Sequence, residues 1–235
     1  MKRFTAEVVR EYGPFPGAEN VGGVTYDGRH VWFAAGGQLK ELDPDSGKTQ
    51  RSIDVPAHAG TAFDGRHLFQ IAEDRIQKID PQTGTVLATI PAPGAGGDSG
   101  LAWAEGTLWV GHYRERKIRQ IDPDTGKVLR TIESNRFVTG VTWVDGELWH
   151  GTWEGDTSEV RHIDPQTGEV LEQLAQAALD GQVDFRGEVA AGLGHQRVRT
   201  EVDGEEVLDL IDRRLRHRQQ GPGLQIRHGP TTFPR

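Results

Sequence analysis

Apolar residues along this chain fall in short runs, each stopped by glycine, proline or an Asp-Gly pair, and the runs repeat. Four copies of one phrase follow each other. They read GVTYDGRHVWFAAGGQLKELDPDSGKTQRSI from Gly23, GTAFDGRHLFQIAEDRIQKIDPQTGTVLATI from Gly60, GLAWAEGTLWVGHYRERKIRQIDPDTGKVLRTI from Gly100 and GVTWVDGELWHGTWEGDTSEVRHIDPQTGEVLEQL from Gly140. The period is about 40 residues, which marks a solenoid, a propeller or an array. In the third copy, residues 101–103, 107–112, 117–121 and 127–132 have strand composition. None is long enough for a good helix, and turn residues separate them.

The element Asp-Pro-x-Thr/Ser-Gly recurs at 43–47, 80–84, 122–126 and 164–168. It predicts a tight hairpin: Asp bonds amides ahead of it, Pro presets the first corner and Gly takes the left-handed closing position. A calcium loop is disfavoured, because Pro interrupts the ligand spacing and no closing Glu follows. Two aromatic columns run through the copies, Tyr26, Phe63, Trp103, Trp143 and Trp32, Phe69, Trp109, Trp149, six residues apart throughout. Leu42, Ile79, Ile121, Ile163 and Ile53, Ile90, Ile132, Leu174 form two more columns. Aromatics recurring at one position predict packing between sheets. A four-stranded sheet per repeat, apolar on both faces, predicts a propeller blade that must pack radially against its neighbours. The expected fold is therefore an all-β propeller, five-bladed by the demand of ring closure.

Residues 1–174 are expected to form the propeller: an N-terminal strand at 4–12 (FTAEVVREY) that completes the last blade, a linker with Pro14 and Pro16, and four clear blades. Residues 175–235 lack Trp, the Asp-Pro turn and the aromatic columns. They are read either as a degenerate fifth blade, with 182–189 and 196–207 as strands, or as a tail whose reading frame is lost. The abrupt change of vocabulary favours the second. Within the tail, 205–219 has the spacing of a short amphipathic helix.

A net charge of −8 argues against a nucleic-acid partner. With no cysteine there is neither a disulfide framework nor a thiolate metal site. The first residues carry no apolar run, so no signal peptide or membrane contact is expected, and the expected location is cytoplasmic and the expected state monomeric. No metal and no cofactor is expected.

In a propeller the loops into each first strand and out of each second strand share one face. The residues there are those the repeat does not dictate. The loops leading in bring Glu19, Asn20, His58, Asp98, Ser99, Arg136 and Thr139; the loops leading out bring Asp74, His112, Tyr113, Arg114, Arg116, Trp153 and Glu154. His58, His112 and Glu154 are the catalytic candidates, since imidazole and carboxylate can serve as base and acid. With Asp98 they could also make a His/carboxylate metal set. The ligand-binding candidates are Glu19, Asn20, Asp98, Ser99, Tyr113, Arg136 and Trp153. His150 lies inside a second strand and is expected to fill a blade interface. His30 and His67, after Asp-Gly-Arg, are expected to be exposed.

Over residues 4–174 the chain resembles the bacterial and plant-type glutaminyl cyclases, which are five-bladed β-propellers. EVVREYGPFPGAENVGGVTYDG is similar to that family's opening, and LKELDPDSGK and VTWVDGELWHGTW with VRHIDPQTGEV to its blades. GTLWVGHYRERKIRQIDPDTGKV also looks like a streptogramin lyase repeat. The resemblance implies an active site on the loop face. The family's first inward loop carries Phe-Thr-Gln-Gly-Leu, where this chain has residues 20–24 as NVGGV. The family's second carries Gly-Glu-Gly, whose Glu is the expected proton shuttle; here the matching position is Ala59. A Trp of the third is Ser99, and the Asn-Glu-Leu-Glu of the fourth is residues 139–142, TGVT. The resulting expectation is a cyclase-like propeller that binds a small molecule or peptide without the usual acid/base residue. The alternative is a cyclotransferase or lyase using the loop-face His and Glu residues.

Overall fold

The computed structural model describes residues 2–5, 12–18 and 20–175. Among these there are strands and no helix, hence none long and apolar enough to cross a membrane. Strand β1 is Lys2–Thr5. Then come β2 (Val21–Tyr26), β3 (Val31–Ala35), β4 (Gln38–Asp43) and β5 (Lys48–Ile53), one copy of the repeat as one antiparallel sheet. The second sheet is β6 (Thr61–Phe63), β7 (Leu68–Ala72), β8 (Arg75–Ile79) and β9 (Val86–Pro91). The third is β10 (Asp98–Ala104), β11 (Thr107–His112), β12 (Lys117–Ile121) and β13 (Val128–Glu133). The fourth is β14 (Phe137–Val144), β15 (Glu147–Glu154), β16 (Thr157–Ile163) and β17 (Val170–Ala175), with β1 added parallel to β17, Phe4 opposite Leu174. An N-terminal strand thus joins the fourth sheet, as expected, but earlier in the chain than residues 4–12. The expected fifth blade and the helix at 205–219 lie outside the described residues.

The Asp-Pro turns close as their chemistry requires. Asp43, Asp80, Asp122 and Asp164 each accept amide N–H bonds from two and three residues ahead. Gly47, Gly84, Gly126 and Gly168 have φ between 69° and 77°. Those amide bonds hold the Asp43, Asp80 and Asp164 carboxyls below their usual range, and at Asp122 the Thr125 hydroxyl, donating at 2.8 Å, leads the same effect ahead of the amides.

Each sheet turns its rear on the next sheet's front. Phe69 stacks on Trp103 at 5.5 Å and Trp109 on Trp143 at 6.1 Å, one column of each blade against the other column of its successor. Trp32 packs in one cluster with Phe63 and Leu68. The first strands meet still more closely. A Cβ on Gly23 would overlap the backbone at 59–61, one on Gly60 that of Gly100 and Leu101, and one on Gly100 that of Gly140 and Val141. Only glycine permits this approach. The fourth member differs: a Cβ on Gly140 meets no described atom within 4 Å. The two outer faces of the series are likewise left uncovered by the described residues. Val160, whose counterparts Leu39, Ile76 and Ile118 are fully buried, is 43% exposed, and at the front Val24 and Tyr26 are 45% and 50% exposed. Part of that front is closed by Phe15, stacked 4.4 Å from Phe33, and by Tyr12, whose hydroxyl donates to the Pro44 carbonyl at 2.6 Å.

His30 and His67 are half-buried rather than exposed. Each belongs to its Asp-Gly-Arg-His turn, in which Asp27 and Asp64 accept the His amide N–H, and His30 Nδ1 lies 2.9 Å from Glu41.

Gly60→Ala and Gly100→Ala are each expected to destabilise by about 1–3 kcal/mol or more, the usual cost of overpacking. Gly140→Ala is expected to be neutral or slightly stabilising, because strand glycine is entropically unfavourable. Urea midpoints of the three variants check the contrast; equal losses at all three would refute the close-approach reading.

Candidate functional site

The polar loop-face residues that come together belong to the third and fourth blades. Arg116 closes the β11–β12 turn at φ 56°, with its N–H donating to the Tyr113 carbonyl at 3.2 Å. That left-handed conformation is uncommon for a residue with a side chain, and here the side chain is held by several contacts. Arg116 Nη2 donates to Glu154 Oε1 at 3.1 Å, Nη1 lies 3.0 Å from Oε2, and Nη1 also donates to the Asn135 carbonyl at 3.0 Å. The guanidinium lies 4.3 Å over the Phe137 ring. Phe137 stacks on Tyr113 at 4.8 Å and on Trp153 at 5.9 Å, so three rings from two blades form one ladder. Arg136 Nη2 donates to the Thr157 carbonyl at 2.6 Å and hydroxyl at 2.7 Å, fastening the next loop. Burial, aided by the Glu154 charge, pushes the Tyr113 hydroxyl pKa up.

Of the predicted residues, Tyr113, Trp153, Glu154 and Arg136 therefore meet in one neighbourhood. Phe137 was missed because it stands in an apolar run like any core residue. Arg116 was placed on the loop but not as the hub.

Asp98, Ser99 and His112 are not rim residues. Asp98 and Ser99 lie in β10 and His112 in β11, all buried. The repeat pattern marks register but not where pairing stops, and here pairing runs on past a bulge between Asp98 and Gly100. Ser99 donates its hydroxyl to the Val138 carbonyl at 2.7 Å, tying β10 to β14. Asp98 and His112 are cross-strand partners, 8% and 5% exposed. The same register elsewhere holds Val21 with Ala35 and Val138 with Thr152. Asp98 Oδ2 accepts the Gly94 N–H at 2.9 Å, while Oδ1 and His112 Nδ1 have no hydrogen-bond partner; Glu115 lies 3.4 Å from that Nδ1. Gly94 and Gly97 lie against this pair so closely that a Cβ on either would overlap the His112 ring. Burial pushes the Asp98 carboxyl up, against the pull of the Gly94 amide and His112.

His58 is exposed in the loop before β6, and its amide donates to the Ile71 carbonyl at 3.2 Å. Asn20 is exposed ahead of β2, and Glu19 lies outside the described residues. No contact joins His58, His112 and Glu154 to one another among the described residues, and no three His, Asp or Glu there are placed to hold a metal. Ala59 is buried, its carbonyl accepting the Gln70 amide at 2.9 Å.

No family model matches the chain, and no curated protein matches it. Solved structures do. The chain is similar to a glutaminyl cyclase of Myxococcus xanthus, with 20% identity, 74% of this chain and 77% of that one covered, and a TM-score of 0.63. It is also similar to a protein of unknown function from Bacteroides caccae, at 16% identity over 74% and 67% of the two chains and a TM-score of 0.52. The Kuenenia stuttgartiensis hydrazine synthase is 18% identical over 73% of this chain, which spans 53% of that one, at a TM-score of 0.50. The fold is a glutaminyl-cyclase-like β-propeller; identities this low carry no residue's role across.

Two buried groups give opposite pH signatures. In the folded chain Asp98 binds its proton more tightly than its ordinary 3.8, so its stabilising contribution is complete below 3.8 and lost as pH rises through the raised folded value. His150 is pushed down to about 3 from 6.5, so its contribution holds above 6.5 and is lost as pH falls toward 3. Relative to wild type, Asp98→Asn is expected to gain stability with rising pH, and His150→Val to gain it with falling pH. Urea midpoints across about pH 3 to 7 test this; profiles parallel to wild type would count against both assignments.

Proposed function

We propose that this cyclase-like propeller binds a small molecule or peptide at the loop face of its third and fourth blades and does not cyclise glutamine. The observation that carries the reading is the pinning of Glu154. A general base must present a free lone pair to the proton it removes. Glu154 Oε1 accepts from Arg116 Nη2, and Oε2, which accepts no hydrogen bond, is buried 3.0 Å from Nη1, so its unbonded oxygen is closed to a substrate and the carboxylate serves as scaffold. At the position that the cyclase resemblance gives to the proton shuttle, the chain has Ala59, whose side chain is a methyl group and whose carbonyl is already bonded to Gln70. The ladder of Tyr113, Phe137 and Trp153, capped by Arg116, supplies flat, rigid, half-buried surface of the sort that small ligands use.

A cyclase assay on a Gln-initiated peptide is expected to show only the uncatalysed rate, and robust turnover would refute the proposal. In parallel, a thermal-shift panel of amino acids and short peptides is expected to yield ligands whose stabilisation falls in Arg116→Ala. Loss of the ladder contacts should weaken such a ligand by roughly tenfold, about 1.4 kcal/mol.

A second reading, an enzyme, draws support from the Asp98–His112 pair. Two ionisable groups buried where other copies use Val, Ala and Thr cost desolvation that the fold does not need, and such pairs cluster at functional sites. Should an activity be found, replacing His58, His112 and Glu154 together is expected to abolish it; an activity surviving the triple replacement rules that assignment out.

A further inference from the structure

Between the rear of the third sheet and the front of the fourth lies a cavity of about 190 Å³. Ile118 and Ile132 wall it on one side and Ile163 on the other, while His150, Arg161 and Asn135 give it a polar edge. That volume corresponds to on the order of six waters at about 30 Å³ each. It lies between sheets, among residues distinct from the ring ladder proposed as the ligand surface.

His150 stands in a column occupied by Phe33, Gln70 and Val110 in the other copies, each opposite the same position of its first strand. Its two polar members behave differently. Gln70 is fully buried and fully bonded: its Oε1 accepts from the Thr61 hydroxyl at 2.6 Å, and its Nε2 donates to the Ala59 and Ile71 carbonyls at 2.9 Å. His150 is 3% exposed, and its Nδ1 has no hydrogen-bond partner. Buried polar atoms are nearly always paired, so an unpaired one beside a cavity points to something that enters it. Two copies show that an apolar side chain fills this position without difficulty, so the fold does not require a histidine here.

The neighbours define what would fit. Arg161 already has most of its N–H groups engaged: Nε donates to Glu159 Oε2 at 2.9 Å, Nη2 lies 2.8 Å from the same oxygen, which Arg136 Nε also approaches at 3.7 Å, and Nη1 donates to Asn135 Oδ1 at 2.6 Å. An anion would gain few hydrogen bonds from a guanidinium so engaged and would meet the Glu133 carboxylate that lines the same cavity, and a cation would face the guanidinium. Burial, with the Arg161 charge adding to it, keeps the His150 ring neutral, its pKa at about 3. A neutral imidazole offers one N–H and one lone pair. A group that both donates and accepts satisfies Nδ1 in either tautomer and can still accept from the remaining guanidinium N–H bonds.

We propose that this cavity is a binding site for a small uncharged molecule carrying a primary amide or hydroxyl group, hydrogen-bonded to His150 Nδ1 and to the Arg161 guanidinium. The test uses the full chain and two probes of one shape, acetamide and acetate, followed through the histidine-ring proton–nitrogen correlations. Acetamide is expected to shift the His150 ring resonances saturably, with acetate weaker by at least ~tenfold. His150→Val, which installs the residue found at Val110, is expected to abolish the acetamide effect while keeping a cooperative thermal transition. His150→Phe, which takes the side chain of the sibling Phe33, is the second variant should the first unfold, and the wild-type titration stands without either. Acetate binding as tightly as acetamide would make this an anion site and overturn the proposal. It would equally be overturned if neither probe moved the His150 ring, leaving a cavity for water only, or if a folded variant bound acetamide undiminished.

Discussion

The structure depends on backbone-to-backbone contact between the first strands of neighbouring sheets. Gly23, Gly60 and Gly100 each stand where a single added carbon would collide with the next strand. Because these strands approach so closely, the rest of each sheet must splay outward from them, and the widening wedge is filled by rings, Phe69 on Trp103 and Trp109 on Trp143. Glycine at the narrow end and aromatics farther out are two parts of one geometric solution. The loop face follows from it: strands fixed at that spacing deliver the turn after β11 and the turn after β15 near enough for Arg116 to reach Glu154.

Most of this was legible in the sequence, for a reason specific to repeats. A single copy of GLAWAEGTLWV could be read in several ways, but four copies with the same spacing reduce the choice to one sheet unit. The Asp-Pro turns were readable residue by residue, since Asp43, Asp80, Asp122 and Asp164 act through bonds to amides only two and three positions away. Local chemistry of that kind leaves its mark in local sequence. The limits of strands do not. Asp98, Ser99 and His112 looked like loop residues because they depart from the repeat, yet β10 and β11 continue to pair through them. Polarity says that a position is unlike its counterparts; whether it is also wet depends on Gly94 and Gly97 folding over it, which no periodicity announces.

The candidate site was legible as a set of positions and not as a set of partners. Departures from the repeat directed attention to Tyr113, Trp153, Glu154 and Arg136, which the fold brings into one neighbourhood. Their pairing rests on contacts between residues far apart in the chain, Arg116 with Glu154 and Arg136 with Thr157. Phe137 lay hidden for the opposite reason: an aromatic residue in an apolar run conforms to the pattern of a core and gives no signal that its ring faces Arg116. The Glu154 carboxylate, which looked available for acid–base chemistry, is paired with Arg116 and keeps its unbonded Oε2 buried, while Asp98 and His112, which also carry unbonded atoms, are closed over by glycine.

Interior departures from a repeat separate into two physical kinds. Gln70 replaces an apolar residue and brings its partners with it, so it reads as part of the packing of its own seam. His150 makes the same kind of replacement with its Nδ1 left unpaired, next to open volume. The outer faces of the series show a third situation. Val24, Tyr26 and Val160 have the identities of seam residues and the exposure of surface residues, and Gly140 retains the glycine of a close contact where no described strand approaches. Column identity was therefore set by what a sheet face is built to meet, and exposure by what it does meet. Where the two disagree, as at Gly140 and His150, the repeat itself supplies the control, because three sibling positions show what full satisfaction looks like.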